Sequence, residues 1–533
     1  MSFFKKQRKN RVNLSSFEQD NQNKETNKDL LKTSLQGNIQ HVKQQLGNSG
    51  DIVIREIQIG KEPIVKACIF YTDGLVDTNA IQNFIMESLM LVIHPDQEQM
   101  ISSQQNVLQV LKDRILAVGD IQDVTEFSSL LTSLLSGDVI LLLDGYAQGF
   151  TIGMRGGKDR GVMESTTETV VRGPKEGFTE NLRTNTALIR RKIKTPRLWL
   201  ESKKIGKLTK TDVAIMYIDG IVNDKVVEEV HKRLDRIDID AILESGYIEE
   251  LIQDETYSPF PTIYYSERPD VIAAELLEGK VAILVDGTPI VLVVPALFIS
   301  FIQSAEDYYQ RADISSLIRL LRFFSLFIAL LGPSLYIAIT TYHQEMLPTP
   351  LLVSLAAQRE GVPFPAFIEA LMMEGAFEIL REASLRMPKA IGQAISIVGT
   401  LVIGTAAVEA GIVSPAMVIV VAITAISSFV LPAFTLSMSI RMLRFPMMAL
   451  AASFGIFGLI VGFIALVLHM CSLRSFGVPY MSPFGPFIRE DMKDTFFRVP
   501  LWRMFSRPRL ISQKNNKREQ ALAPKPPRNK MEN

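Results

Sequence analysis

The pattern of hydrophobic and polar positions changes abruptly at Phe323. Before that point, short apolar runs of strand length alternate with segments of helical period, which predicts a soluble α/β region. After it, long uncharged apolar runs extend to Leu473, and four of them approach or exceed the ~20 residues that a membrane-spanning helix needs. They occupy residues 323–342, 390–408, 412–440 and 447–470. The chain is therefore predicted to join a soluble α/β N-terminal region to an all-α polytopic membrane domain.

The soluble region contains two similar segments. ACIFYTDGLVDTNAIQNFI, starting at Ala67, resembles DVAIMYIDGIVNDKVVEEVHKRL, starting at Asp212. Each is followed about seventy residues later by another strand pattern, GDVILLLDGYAQGFTI or GKVAILVDGTPIVLVVP. All four patterns carry Asp-Gly, at 73–74, 144–145, 219–220 and 286–287, and both residue types tolerate the positive φ of a tight turn. We therefore predict two similar α/β subdomains, at residues 52–160 and 205–295.

The remaining segments differ in composition. Residues 1–51 are rich in Asn, Gln, Lys and Ser, and too poor in apolar residues to bury a core, which predicts a disordered polar tail. Residues 161–204 form a basic connector that contains RGPKEGF. Residues 296–473 form the membrane domain, and residues 474–533 form a basic tail.

Composition excludes several classes of function. The formal net charge is zero, so no global charge favours nucleic acid as a partner. The two cysteines, Cys68 and Cys471, lie far apart, which argues against a disulfide framework. The sequence contains no HExxH, no GxSxG and no His/Cys cluster. We therefore expect no enzymatic activity, no cofactor and no metal site.

The RGPKEGF turn supplies one set of candidate residues. Its Lys and Glu are either a functional pair or a surface ion pair in a structural turn, and the sequence leaves both alternatives open. A small residue is expected at the second Gly. The candidates for the motif or for assembly are Arg172, Gly173, Pro174, Lys175, Glu176 and Gly177.

A charged helix between the first two predicted spans supplies the other set. In AFIEALMMEGAFEILREASLRMP, a period of 100° per residue places Glu374, Glu378, Arg381 and Glu382 on one stripe. Such a helix either lies in the membrane interface or turns its acidic stripe toward an aqueous pore, where rings of carboxylates would attract cations. Glu409, after the second predicted span, is a further candidate for pore or gating because charge at membrane depth is usually functional.

Basic residues indicate the orientation. Arg319 and Arg322 precede the first span and the tail after Arg474 is basic, so the soluble region and the tail are both expected on the cytoplasmic side. That arrangement requires an even number of crossings. Neither an even nor an odd number places every basic residue on the cytoplasmic side.

Several stretches carry a family resemblance. They are RGPKEGF followed by Asn181 and Arg190-Arg191, ERPDVIAAELLEGKVAILVDGTPIVLVVPALF, QSAEDYY, REGVPFPAFIEALMMEGAFEILREA, RMPKAIGQAISIVGTLVIGTAAVEAGIVSP and SFGVPYMSPFGPF. In this order, over about residues 52–505, the chain resembles the A subunits of bacterial spore germinant receptors, the GerA family.

The resemblance implies a multi-pass protein of the spore inner membrane, in contact with lipid. It implies two partners: a permease-like B subunit that supplies the nutrient site, and a lipoprotein C subunit. It further implies that the A subunit forms a homo-oligomeric ring that conducts ions when nutrient binds. The predicted function is therefore a non-enzymatic subunit of a nutrient-gated cation channel that triggers germination.

Other functions remain open at this point. A carrier with alternating access would predict inverted repeats in the membrane domain, and the sequence shows none. A non-conducting scaffold would leave the conductance to a partner subunit. A channel-like relative of the same family, acting downstream of the receptors, would share these motifs.

Overall fold

The computed structural model of the protein describes residues 29–59, 64–86, 120–156, 168, 170–386 and 404–518. The chain divides into two compact units, Met1–Arg160 with Thr186–Glu201, and Gly161–Asn185 with Ser202–Asn533. The strands are β1 Ile52–Ile59, β2 Val65–Thr72, β3 Ile121–Val124, β4 Val139–Leu143, β5 Gly149–Ile152, β6 Leu198–Ile205, β7 Thr211–Ile218, β8 Tyr264–Ser266, β9 Val281–Val285, β10 Val291–Val294, β11 Arg474–Ser475 and β12 Val478–Pro479.

The labelled helices are α1 Leu35–Gln45, α2 Phe127–Leu135, α3 Leu182–Lys192, α4 Asp224–Asp235, α5 Ser245–Ile252, α6 Pro269–Leu277, the short α7 Glu306–Tyr309, α8 Ala312–Tyr342, α9 Thr349–Arg359, α10 Ala366–Arg386, α11 Pro415–Phe429 and α12 Phe434–Ser472. Short helical turns include Thr78–Ala80, Ile81–Met86, Phe298–Phe301, Gln344–Met346, Ala407–Glu409, Asp491–Lys493 and Leu501–Arg503. Two antiparallel sheets therefore precede a helical region, as the sequence predicts.

Strand β2 lies inside the first sheet and is covered on both faces. Ile69 belongs to an apolar cluster on one face, whereas Cys68 and Phe70 belong to a cluster that includes α1 and α2. Because successive side chains of a strand point to opposite faces, one strand supplies both cores, which explains its unbroken apolar run. Burial raises the pKa of the Cys68 thiol to about 12, so this cysteine serves as a small hydrophobic residue.

The predicted duplication is visible in the sheets. The strand orders are β1-β2-β4-β5-β3 and β6-β7-β9-β10-β8, so corresponding strands occupy corresponding positions. Each of the four Asp-Gly turns follows a strand, and its glycine has a φ between 78° and 92°. Glycine adopts such a backbone with the least strain, which is why it recurs at these four positions.

The repeat extends to a helix that precedes each sheet. In the first copy, the Asn38 side chain donates to Lys32 O at 2.7 Å and accepts from Lys32 N at 2.9 Å. In the second copy, Asn185 makes the same two bonds to Thr179, at 2.6 and 2.8 Å. Both asparagines stand six residues after their partners, so α1 and α3 are equivalent elements.

This equivalence corrects two predicted boundaries. The described residues of the supposed polar tail, 29–51, include α1, whose apolar face is buried and whose Leu35 N donates to Asp144 at 3.0 Å. The supposed connector contains α3 and strand β6. In α3, Leu182 N donates to Asp286 at the same distance. Both segments were misassigned because their polar surface residues outnumber a few buried ones.

Two described helices, α8 and α12, are long and apolar enough to cross a membrane by length and composition. The predicted span 323–342 lies within α8, which contains Pro333. The predicted span 390–408 lies largely outside the described residues. The predicted span 412–440 is wrong, because α11 ends at Phe429 and α12 starts only at Phe434. Pro432 lies in this break, and a proline disfavours helical backbone at the residue before it.

The predicted span 447–470 is also wrong, because Gly455 interrupts α12 with a φ of 60° and a ψ of −142°. A methyl group added at Gly462 would lie 2.7 Å from Leu450 Cδ1 and 2.9 Å from Met447 Sδ. In a straight helix, residues 447 and 462 would be about 22 Å apart. The two halves of α12 therefore fold back on each other at Gly455.

The described part of the basic tail, residues 474–518, is folded. Strands β11 and β12 form a two-stranded ribbon, and Ser475 Oγ bonds both Ala296 N at 2.9 Å and Thr262 O at 2.6 Å. Tyr480 is fully buried. The segment after the last apolar helix therefore packs against the second sheet and the start of the helical region.

Candidate functional site

The acidic stripe predicted from the sequence lies on α10 and runs from the protein interior to its surface. Glu374 is fully buried, Glu378 is partly buried, and Glu382 is exposed and paired with Arg386 at 2.6 Å. The spacing of four residues places these carboxylates along one side of the helix, as expected.

The two inner carboxylates face two arginines of α12. Arg441 Nη1 donates to Glu378 Oε2 at 2.6 Å, and Arg444 Nη1 donates to Glu374 Oε2. Arg441 and Arg444 are three residues apart and Glu374 and Glu378 are four apart, so each pair lies on one side of its own helix. The geometry describes two consecutive ion pairs between α10 and α12, and not a free acidic surface.

A third buried carboxylate, Glu369, stands five residues before Glu374 on α10. It is fully buried, and its Oε2 accepts from Ser414 N at 3.0 Å and from Ser414 Oγ at 2.8 Å. Arg359 Nε lies 3.4 Å from Glu369 Oε1, which is an ion pair without a hydrogen bond. We use the name polar seam for Glu369, Glu374 and Glu378 together with their partners Arg359, Arg441, Arg444 and Ser414.

The polar seam is not saturated with hydrogen bonds. Among the described residues, the second carboxylate oxygens of Glu369, Glu374 and Glu378 have no hydrogen-bond partner, and neither does Nη2 of Arg444. Buried polar atoms normally find a partner in the protein or in ordered water. These free atoms can therefore accept or donate a bond to water or to a new partner while the other atoms of the same side chains keep their present bonds.

Arg381 closes the outer end of the seam. Its guanidinium carbon lies 5.5 Å from the centroid of the Phe429 ring and 5.6 Å from that of Phe434. These rings flank the break between α11 and α12, so one arginine contacts both helix ends through cation–π interactions. Glu409 lies elsewhere, exposed at the end of the short helix Ala407–Glu409.

The RGPKEGF turn forms a second structural centre. Arg172, Lys175 and Glu176 are exposed, whereas Gly177 is buried. Gly173 has a φ of 142°, and a methyl group there would lie 2.7 Å from the Tyr309 ring. The steric requirement for glycine is therefore seen at Gly173, whereas the sequence predicted a small residue at Gly177.

Arg268 connects this turn to α7. It donates to Pro174 O at 3.1 Å and holds Asp270 through two bonds, at 2.7 and 3.1 Å. Tyr309 donates its hydroxyl to the same Asp270 at 2.5 Å. Burial and this hydrogen bond raise the pKa of Tyr309, so the hydroxyl keeps its proton and acts as a donor.

A cluster of charges surrounds the start of α8. Asp307 Oδ2 accepts from Arg322 at 2.8 Å and from Arg319 at 3.1 Å. Arg319 also donates to Asp494 at 2.8 Å, and Tyr308 donates to the other oxygen of Asp494 at 2.6 Å. Burial raises the pKa of Asp494, and the Arg319 guanidinium opposes that shift. We call these five residues the basal cluster.

In the sequence, Arg319 and Arg322 indicate only the orientation of the first span, and Asp307 and Asp494 are not recognisable as their partners. The available signal was the QSAEDYY stretch, whose Asp307 stands twelve positions before Arg319. The partner Asp494 lies 175 residues away in the C-terminal region, so no local pattern could indicate it.

Comparison with known proteins gives a consistent result. Residues 40–510 match the family model described as Bacillus/Clostridium GerA spore germination protein. The chain is 50% identical over 490 residues to Spore germination protein KA of Bacillus subtilis (strain 168), covering 92% of this chain and 89% of that protein. It is 39% identical to Spore germination protein GerLA of Bacillus cereus over 486 residues, covering 90% and 97%.

One solved structure is also similar. It is the crystal structure of the N-terminal domain of the A subunit of the Bacillus megaterium spore germinant receptor GerK3. That domain is 47% identical, and the match covers 51% of this chain and 98% of the domain, with a TM-score of 0.41.

Proposed function

This chain belongs to the GerA family of spore germination proteins, and we propose that it is the A subunit of a nutrient-responsive germinant receptor whose copies assemble into a cation channel. Membership in the family supports a role in germination. The conducting function is our proposal, and the observation that carries it is the polar seam between α10 and α12.

Charged residues inside an apolar helical bundle are expensive and are usually retained for function. Glu374 and Arg444 each have about 1% of their side chains exposed. Replacing a buried ion pair by apolar residues is often neutral or stabilising, so stability alone does not explain the pair. A role in moving or selecting ions does explain it.

The proposed mechanism starts from a neutralised seam. With Arg441 and Arg444 paired to Glu378 and Glu374, α10 offers a passing cation little net attraction. A shift of α10 relative to α12 would separate the pairs and turn carboxylates toward a pore formed by several copies, where acidic rings attract cations. Glu382 at the exposed end of α10 would be the first carboxylate met from the aqueous side.

Nutrient would act through a population shift. A ligand that binds a partner subunit changes the channel only by its differential affinity for the closed and open assemblies. We assign the nutrient site to a permease-like B subunit and further assembly contacts to a lipoprotein C subunit, as the family resemblance implies. The exposed Arg172, Lys175 and Glu176 are candidates for those contacts, and Glu409 is a candidate for the pore.

The proposed location is the inner membrane of the spore. The soluble region and the C-terminal region would both lie on the cytoplasmic side, since Arg319 and Arg322 precede the first apolar span and basic residues follow the last. We propose no enzymatic activity for this chain.

The test is ion flux in non-sporulating cells that produce this chain with its B and C partners. The proposal expects a cation leak that depends on nutrient and that is lost when Glu374, Glu378 and Glu382 are all changed to Gln. The exposed Glu360 provides a control, because Glu360→Gln removes a charge near α10 outside the seam. A wild-type complex that assembles without any leak would mean that the conductance lies outside this complex.

A further inference from the structure

The C-terminal region presents apolar side chains to solvent in one short segment. Phe487, Phe497 and Leu501 are 70%, 60% and 56% exposed, and Trp502 stands next to them at partial exposure. We name these four residues the collar. Large apolar side chains that remain exposed together mark an interaction surface rather than a folding core.

The collar lies at the level where α8 enters the apolar region. The Phe496 ring is 4.5 Å from the ring of Phe323, measured between centroids, and 5.2 Å from that of Phe484. Phe323 directly follows Arg322 and begins a run without charges that continues to Tyr342. That run of twenty residues spans about 30 Å, which is the thickness of the hydrocarbon core. On the proposed membrane location of α8, Phe323 would lie at the boundary of the hydrocarbon core.

The segment that carries the collar is fixed to α8 and α7. Arg498 is buried, its backbone N donates to Ser316 Oγ at 3.1 Å, and its Nη1 donates to Asp307 O at 2.7 Å. Phe497 precedes this anchor and points outward. Leu317 follows Ser316 on α8 and is also 70% exposed. Two elements thus expose apolar side chains beside the same hydrogen-bonded junction.

The charge of the region fits an anionic surface. Residues 473–518 contain ten Lys or Arg and three Asp or Glu. Arg489 and Arg503 are exposed, and the Arg503 guanidinium carbon lies 4.7 Å from the centroid of the Trp502 ring. Tryptophan and arginine together are typical of the headgroup region, where the ring contacts acyl chains and the cation contacts phosphate.

We propose that the collar inserts into the headgroup region of the cytoplasmic leaflet and anchors the C-terminal region to anionic lipid. This inference rests on the proposed membrane location of α8. The basal cluster joins the C-terminal region to α8 through Asp494 and Arg319. The collar and α8 would therefore both hold this cluster at the bilayer surface. The partner is the lipid surface itself, not another subunit.

The chain offers a direct probe, because Trp199 and Trp502 are its only tryptophans. The full chain with Trp199→Phe is reconstituted into vesicles of phosphatidylcholine and phosphatidylglycerol that contain brominated lipids. The proposal expects a blue-shifted Trp502 emission and protection from iodide. It also expects stronger quenching by bromines near the headgroups than by bromines near the acyl-chain ends.

Two variants give the test its contrast. Phe497→Ser with Leu501→Ser should reduce the quenching by lipid and restore quenching by iodide. Replacing phosphatidylglycerol by phosphatidylcholine alone should weaken the quenching by lipid, and Arg489→Gln with Arg503→Gln should remove that difference between the two lipids.

A control separates this inference from the membrane proposal. In a chain with Trp199→Phe and Trp502→Phe, Leu335→Trp places a tryptophan on the exposed, apolar side of α8. Quenching of this residue by deep bromines, together with a Trp502 that only iodide quenches, would overturn the collar and keep the membrane location. A Trp502 shielded from both quenchers would mean that protein covers the collar, which also overturns the inference. Absence of lipid quenching at both positions would contradict both proposals.

Discussion

The carboxylate of Glu374 and the guanidinium of Arg444 face each other inside the helical region, although 69 residues separate them in the chain and each is about 1% exposed. Arg444 also donates from Nε to Ala329 O at 2.8 Å, so it links α10, α12 and α8. The pair therefore reports directly on how these three helices are packed.

Reversing one charge of this pair is expected to disrupt the protein, and reversing both is expected to restore it. Glu374→Arg alone places two buried cations together, and the loss of one partner of a buried pair typically costs about 3–5 kcal/mol. Glu374→Arg combined with Arg444→Glu restores opposite charges. The amount of assembled complex in membranes and its thermal stability give the coupling energy of the double-mutant cycle. Additive effects of the two changes would mean that the pair does not form.

Gly173 is expected to tolerate no side chain. Gly173→Ala should lower the stability by about 1–3 kcal/mol, because the added methyl group would meet the Tyr309 ring and the backbone has a positive φ. Thermal unfolding of the purified full chain measures the effect. Gly361→Ala is the control, since no atom of the described residues lies within 4 Å of the position of its added methyl group. Equal stability of the two variants would contradict the contact.

The basal cluster is expected to be essential for stability. Asp307→Asn should cost about 3–5 kcal/mol, because it leaves the buried Arg319 and Arg322 without their shared carboxylate. Asp313→Asn removes a similar charge at the start of the same helix, but Asp313 is exposed and forms its ion pair with the exposed Arg311. That control should cost at most about 1 kcal/mol. A smaller loss for Asp307→Asn than for Asp313→Asn would refute the role of the cluster.

Stability is expected to fall between about pH 4.5 and pH 7 in a way that depends on Glu168. Burial raises the pKa of Glu168 to about 7 in the folded protein, against 4.5 for an exposed glutamate. The folded state therefore favours the protonated carboxyl group. The resulting stabilisation is complete below pH 4.5 and is lost as the pH rises through about 7.

Glu168→Gln should remove this component while keeping a polar partner for Ser266, whose Oγ lies 2.6 Å from the carboxylate. The measurement is the melting temperature from pH 4.5 to pH 8 for both proteins. Glu249 also has a pKa raised to about 7 by burial, so the difference between the two curves is the informative quantity. Parallel curves would show that Glu168 titrates normally.

Local signals were enough to predict the two sheets but not their first helices. The Asp-Gly turns are readable because their backbone conformation restricts residue choice at each site. Helix α1 was missed because Asn38 and a few buried aliphatic residues lie in a polar stretch whose average composition predicts disorder. Its role becomes visible only beside Asn185 in the second copy.

The helical region shows a similar limit. Hydropathy detects the length of an apolar run but not a reversal of the chain. For this reason the span predicted at 447–470 extends across the turn at Gly455. The stripe on α10 follows from helical periodicity, and its placement on one side of α10 was predicted correctly. The pairing with Arg441 and Arg444 depends on contacts across more than sixty residues, which no local pattern contains. The assignment of Glu374, Glu378, Arg381, Glu382 and Glu409 to a pore stays a prediction.

The central claim is that this chain forms a cation-selective pore, and the most direct measurement is the reversal potential of the nutrient-evoked current. The complete receptor is placed in a planar bilayer between two concentrations of the same salt. For a cation-selective pore, we expect a reversal potential close to the equilibrium potential of the cation. Glu378→Gln should shift it toward zero, and Glu360→Gln should leave it unchanged. A reversal potential close to the equilibrium potential of the anion, or one that Glu378→Gln does not change, would contradict the proposed role of α10.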